Sequence, residues 1–121
     1  MQRTRIELDR IPPSTNHYWG ITARRGFVKK YVTKDGKDFK EYIIRKWYAW
    51  KITENPVKMR IKLQFPTRRR CDIDNYNKAL LDVLQGIIYK DDNQIIELHL
   101  TKHYLKGVPK TIIDIEELKG E

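Results

Sequence analysis

The stretch Val57-Lys58-Met59-Arg60-Ile61-Lys62-Leu63-Gln64-Phe65 alternates apolar and polar residues without a slip. Successive side chains of a β-strand point to opposite faces. This segment therefore reads as a strand, with Val57, Met59, Ile61, Leu63 and Phe65 on one face and Lys58, Arg60, Lys62 and Gln64 on the other. The basic face has two readings, a solvated sheet surface or a contact for a phosphate backbone. Pro66 closes the strand, because proline has no N–H to give to a ladder.

Upstream, Phe39, Ile43, Trp47 and Trp50 recur at spacings of three and four, the stripe of an amphipathic helix. That helix is expected over about residues 36–51, with Asp35 as its cap and Glu54-Asn55-Pro56 as its stop. Residues 15–34 are rich in aromatic and basic side chains and read as a long loop with a short strand at Phe27–Val32. Before them, Ile6 and Leu8 alternate with charged residues in a first strand, which Pro12-Pro13 ends.

Downstream, Tyr76, Ala79, Leu80, Val83 and Leu84 form the apolar side of a second helix over about residues 75–85, and Gly86 suits its end. A strand over 95–105 turns Ile96, Leu98 and Leu100 inward. Gly107-Val108-Pro109 turns the chain, and a strand over 111–118 is expected to pair with the preceding one as a hairpin. The order is β(β)-α-β-α-β-β, an α+β fold with two helices packed on one mixed or mostly antiparallel sheet.

The 121 residues suit a single domain, 1–121. Lys and Arg number 25 against 16 Asp and Glu, a net charge of +9 that favours a polyanionic partner. No apolar run approaches the roughly 20 residues of a membrane span. Met1-Gln2-Arg3-Thr4-Arg5 has no apolar segment behind it, so no secretory leader is expected. Cys71 is the sole cysteine, which excludes an intrachain disulfide and fits a reducing cytoplasm.

Against this basic background stand two carboxylate pairs, Asp72 with Asp74 and Asp91 with Asp92. In extended backbone, residues two apart point the same way. A short return after the second helix would bring the second pair toward the first. Carboxylates so gathered repel, and a divalent cation relieves them. Oxygen ligands without cysteine favour Mg²⁺, or Mn²⁺ in its place. Mg²⁺ beside a phosphate-rich partner suggests phosphodiester chemistry. Plainer readings stand beside this one: Asp74 as a helix cap, and Asp91-Asp92-Asn93 as an ordinary turn. Lys78 and Asp82 follow Asp74 at i+4 and i+8. They form either a solvated ion-pair ladder or a cation beside the metal site. Arg68, Arg69 and Arg70, with Arg24, Arg25, Lys29 and Lys30, are candidate phosphate contacts.

Arg69-Arg70-Cys71-Asp72-Ile73-Asp74-Asn75 followed by Lys78, Asp82 and Gly86, then Asp91-Asp92-x-Gln94-Ile95, resembles the core of the RusA family of Holliday-junction resolvases. Pro12-Pro13-Ser14-Thr15-Asn16 is similar to that family's early element. The resemblance implies a homodimeric, Mg²⁺-dependent endodeoxyribonuclease, often phage- or prophage-encoded. Such enzymes bind four-way DNA junctions and nick two opposing strands symmetrically. It implies Asp72, Asp74 and Asp92 as catalytic, metal-binding carboxylates, Asp91 as a further ligand, and Lys78 as a catalytic lysine. Tyr18 and Trp19 are expected in a loop near the junction, their rings serving either as a wedge for an unstacked base or in core packing or dimer contact. Cys71 departs from the pattern, standing where the resemblance expects an arginine. Two other readings remain open. One is a DNA-binding recombination accessory with weak or no turnover. The other is a Mg²⁺ nuclease for other branched nucleic acid.

Overall fold

The Val57–Phe65 strand is the centre of the molecule, with all five of its alternate apolar side chains 4% exposed or less. The computed structural model describes residues 2–14, 18–24, 26–47, 52–68 and 72–118. In chain order the elements are β1 (Gln2–Leu8), β2 (Trp19–Arg24), β3 (Phe27–Val32), α1 (Lys34–Lys46), β4 (Val57–Phe65), α2 (Asp74–Leu84), a 3-10 turn (Asp92–Gln94), β5 (Ile95–Tyr104) and β6 (Lys110–Glu117).

The main sheet runs β1-β6-β4-β5, and β2 and β3 form a separate hairpin. β4 pairs antiparallel with β6 and parallel with β5, so the sheet is mixed. The expected pairing of β5 with β6 as a hairpin does not occur, because β4 lies between them. The cause is α2. The helix carries the chain back along the sheet, so β5 starts at the same end as β4 and lies parallel to it. The far side of β4 is then left for β6.

One sheet face is covered by the helices. Ile6, Leu8, Ile61, Leu63, Ile113 and Ile115 meet Phe39 and Ile43 of α1 and Tyr76, Ala79, Leu80, Val83 and Leu84 of α2 in one core. Each Ile, Leu, Val or Phe among them contributes roughly 1.5–3 kcal/mol on burial. β5 is one edge of the sheet and β1 the other. A register shift at Val57/Lys58 leaves Ile95 half-buried and Ile96 57% exposed, against the expectation that Ile96 points inward. Leu98 and Leu100 pack on the core as expected.

The uncovered face is mixed in sign. Arg5 chelates Asp114 through Nε (2.7 Å) and Nη2 (3.2 Å), and Lys58 pairs with Glu97 at 3.4 Å. The basic side of β4 is therefore interleaved with acids from its neighbours rather than forming a continuous cationic stripe.

Both helices begin earlier than periodicity suggests. Thr33, not Asp35, caps α1, its Oγ1 accepting from Gly36 N at 3.1 Å. Asp35 occupies the first turn, where a carboxylate also suits the helix dipole. The helix ends at Lys46 with Trp47 as its C-cap, and Trp50 lies outside the described residues. The expected strand at Phe27–Val32 is present, and β2 completes it as a hairpin where a loop was expected. No helix among the described residues is long and apolar enough to cross a membrane.

Candidate active site

Asp72 is exposed and precedes α2, and its carbonyl accepts from Asn75 N at 3.1 Å. Ile73 caps the helix with φ −61° and ψ −28°, a helical conformation. The extended backbone that would align Asp72 with Asp74 is therefore absent, and the two carboxylates sit on a turn entering the helix. Asp74 is the first helical residue, and the helix has no side-chain cap bond. The capping role considered for Asp74 is not the one it plays. Its charge faces the positive end of the helix dipole instead.

Asp74, Lys78 and Asp82 follow at i, i+4 and i+8, sharing one face of α2. The rise of about 1.5 Å per residue places Asp74 and Asp82 about 12 Å apart along the axis, with Lys78 midway. All three are exposed.

At the far end, Asp82 is held from below. The hydroxyl of Tyr18, a residue only 1% exposed, donates to Asp82 Oδ2 at 3.2 Å. Tyr18 is itself fixed, its carbonyl accepting from Thr33 N at 2.9 Å and Thr33 Oγ1 at 3.2 Å. Burial and the adjacent Asp82 charge push the Tyr18 phenol well above its ordinary range, so it stays a donor.

After α2, Gly86 takes φ +88°, a conformation other residues rarely adopt, and turns the chain back. Its N–H donates to Tyr89 O at 2.7 Å. Tyr89 is buried beneath the helix, its hydroxyl donating to Leu81 O at 2.8 Å and facing Asp92. This turn brings Asp92 to the Asp82 end of α2. Burial raises the Asp92 pKa, the Tyr89 hydroxyl opposes the rise, and the charges of Asp82 and Asp91 add to it.

Asp91 has other work. Its Oδ1 accepts from Asn93 N at 3.0 Å and caps the 3-10 turn. Gln94 completes the reciprocal box, its Oε1 accepting from the N–H groups of Lys90 and Asp91, both at 2.8 Å. Its Nε2 donates to the carbonyls of Thr53 and Asn55, both at 2.9 Å, which ties the turn to the chain before β4. The turn reading of Asp91-Asp92-Asn93 is thus correct for the backbone, and it is what aims Asp92.

The carboxylates fall into two groups along α2, Asp72 with Asp74 at its start and Asp82 with Asp92 and Asp91 at its end. Among the described residues, no three His, Cys, Asp or Glu side chains are close enough to cage a metal ion. Mg²⁺ seldom asks for such a cage. It is commonly held by one or two carboxylates, several waters and substrate phosphate. The all-oxygen donor set, with like charges crowding Asp92, fits that habit.

Of the candidate phosphate contacts, Arg68 is exposed and lies 4.9 Å from the Tyr104 ring. Lys29 and Lys30 are exposed on β3, with Lys30 Nζ 4.0 Å over the Trp19 ring. Arg25, Arg69, Arg70 and Cys71, and the side chain of Arg24, lie outside the described residues. Tyr18 is buried, which removes it from any direct contact with DNA. The residues least visible to periodicity are Tyr18 and Tyr89. Only the i+8 spacing of Asp82 hinted that the second helix had an acidic end as well as an acidic start.

Residues 10–116 match the family model described as endodeoxyribonuclease RusA. The crossover junction endodeoxyribonuclease RusA of Aquifex aeolicus is 33% identical over 134 aligned positions, covering 99% of this chain and 96% of that protein. The Escherichia coli K12 protein of the same name is 31% identical, covering 91% of this chain and 92% of its own. The Enterobacteria phage 82 protein is 30% identical with the same coverage.

Proposed function

The chain belongs to the endodeoxyribonuclease RusA family, and from that premise we propose that it is a Mg²⁺-dependent endonuclease that resolves four-way DNA junctions by paired, symmetric nicks. The observation that carries this reading is the line of carboxylates along α2 with Lys78 between them, in a chain similar over nearly its whole length to junction endonucleases. Asp72 and Asp74 at the start of α2 and Asp92 at its end are the proposed catalytic carboxylates and metal ligands, with Asp91 beside Asp92. When bound, Mg²⁺ supplies a Lewis acid for the phosphate and lowers the pKa of an attacking water.

The chain's own groups do the rest. Lys78, one turn from both Asp74 and Asp82, offsets charge on the scissile phosphate and orients the approaching water. Arg68, Arg69, Arg70, Arg24, Arg25, Lys29 and Lys30 bind the backbone of the arms. Two cuts on a two-fold symmetric junction suit a homodimer, each subunit supplying one acidic site. The setting we propose is the bacterial cytoplasm, with the gene carried by a phage or prophage. The phage 82 relative supports that origin.

A labelled four-way junction and a linear duplex of the same sequence, incubated together with and without Mg²⁺, test this reading. Paired nicks in the junction alone, only with metal and at symmetric positions, are expected. Cutting of both substrates at equal rates would overturn junction selectivity.

A further inference from the structure

The β2–β3 hairpin stands apart from the main sheet, and its pairing sorts its side chains onto two faces. Trp19 and Val32 begin one face and pack on the core. Gly20, Phe27, Lys29 and Tyr31 lie on the other. There Phe27 is 77% exposed and Tyr31 45% exposed.

Tyr31 is held in position. A Cβ placed on Gly20 would lie 2.3 Å from Tyr31 Cζ and 2.5 Å from its hydroxyl oxygen. The ring thus lies directly across the glycine. Strand geometry places Phe27 and Tyr31 roughly 13 Å apart, with Lys29 midway between them. Residues 19–32 contain Arg24, Arg25, Lys29 and Lys30 and no acidic residue.

We propose that this face is a platform for unpaired DNA strand at the branch point. Phe27 and Tyr31 stack on bases, and Lys29 holds the phosphate between them. The inference rests on the junction-nuclease reading and adds to it the place where strand leaving the duplex arms is received. Rings alternating with cations suit a chain that itself alternates base and phosphate. A second copy of the same hairpin would instead bring like charges together, which disfavours self-association through this face.

The test uses the full chain and fluorescence anisotropy with three DNAs: a four-way junction, oligothymidine and linear duplex. Phe27→Ala and Tyr31→Ala are expected to weaken oligothymidine and junction binding roughly fivefold or more each, with duplex affinity unchanged. Tyr31→Phe keeps the ring and is expected to bind as the parent does. Gly20→Ala displaces the ring and is expected to behave like Tyr31→Ala. Lys29→Gln should lower the salt slope by about one. Phe27 is too exposed for its loss to disturb the core, so a null result counts. Parent-like binding of oligothymidine and junction by both alanine variants would overturn the platform while leaving junction cleavage standing. Failure of the parent chain to bind the junction would overturn the reading beneath it. Conversion of a dimer to a monomer by Phe27→Ala, read by sedimentation, would reassign the face to a protein contact and overturn the proposal.

Discussion

The buried hydroxyl of Tyr18 donates a 3.2 Å hydrogen bond to Asp82, joining the segment before β2 to the outer face of α2. That one bond connects the hairpin's root, the N-cap of α1 and the acidic end of α2. Tyr18→Phe keeps the packed ring and removes only the donor. The expected cost is about 0.5–1.5 kcal/mol, read as a lower urea midpoint with an unchanged slope. An unchanged midpoint would mean that the bond carries no stability.

Gln94 spends its whole amide on backbone, accepting from two N–H groups and donating to two carbonyls. Gln94→Ala therefore leaves several groups without partners and should cost roughly 1–3 kcal/mol. Because the same bonds aim the turn carrying Asp92, cleavage should fall further than DNA binding. Asp91→Ala removes the cap bond to Asn93 N, and its expected cost in stability is about 1 kcal/mol. Equal stability of the Gln94 and Asp91 variants would contradict this ranking.

Acid should weaken the fold partly through Asp9. The Tyr42 hydroxyl donates to its carboxylate and holds its pKa below the ordinary value, with Arg10 adding to the effect. A folded-state pKa below the unfolded one gives stability that is present above the unfolded pKa and lost as pH falls through the folded one. The stability difference between the parent and Tyr42→Phe should hold constant near neutrality and shrink below about pH 4. Urea titrations across that range check it. A difference that grows in acid would reverse the assignment.

Alternation in the sequence shows that residues 57–65, 95–105 and 111–118 are strands, and the structure agrees. It does not show which strands pair. β5 and β6 are joined by a short turn and would have made a hairpin, but the return of α2 along the sheet sets β5 parallel to β4 and leaves β6 on the other side. Ile96 was misplaced for a related reason, since the register shift beside Lys58 is a property of the pair and not of either strand. In the candidate site, the residue types and their spacing along α2 were legible. The approach of Asp92 to Asp82 was not, because it depends on Gly86 turning the chain so that Tyr89 fits under Leu81. Tyr18 sat in a stretch with no periodicity, so nothing local marked it as core.

The most direct test of the central claim measures junction binding and junction cutting side by side in Asp74→Asn. Asp74 is exposed, and the helix it begins has no side-chain cap bond. Its neutral replacement should fold as the parent does, bind the four-way junction as tightly or more tightly, and cut it at least about a hundredfold more slowly in Mg²⁺, the scale of losing one charge-stabilising group. Cutting at the parental rate, or loss of binding and cutting in equal measure by a folded protein, would contradict the assignment of these carboxylates to catalysis.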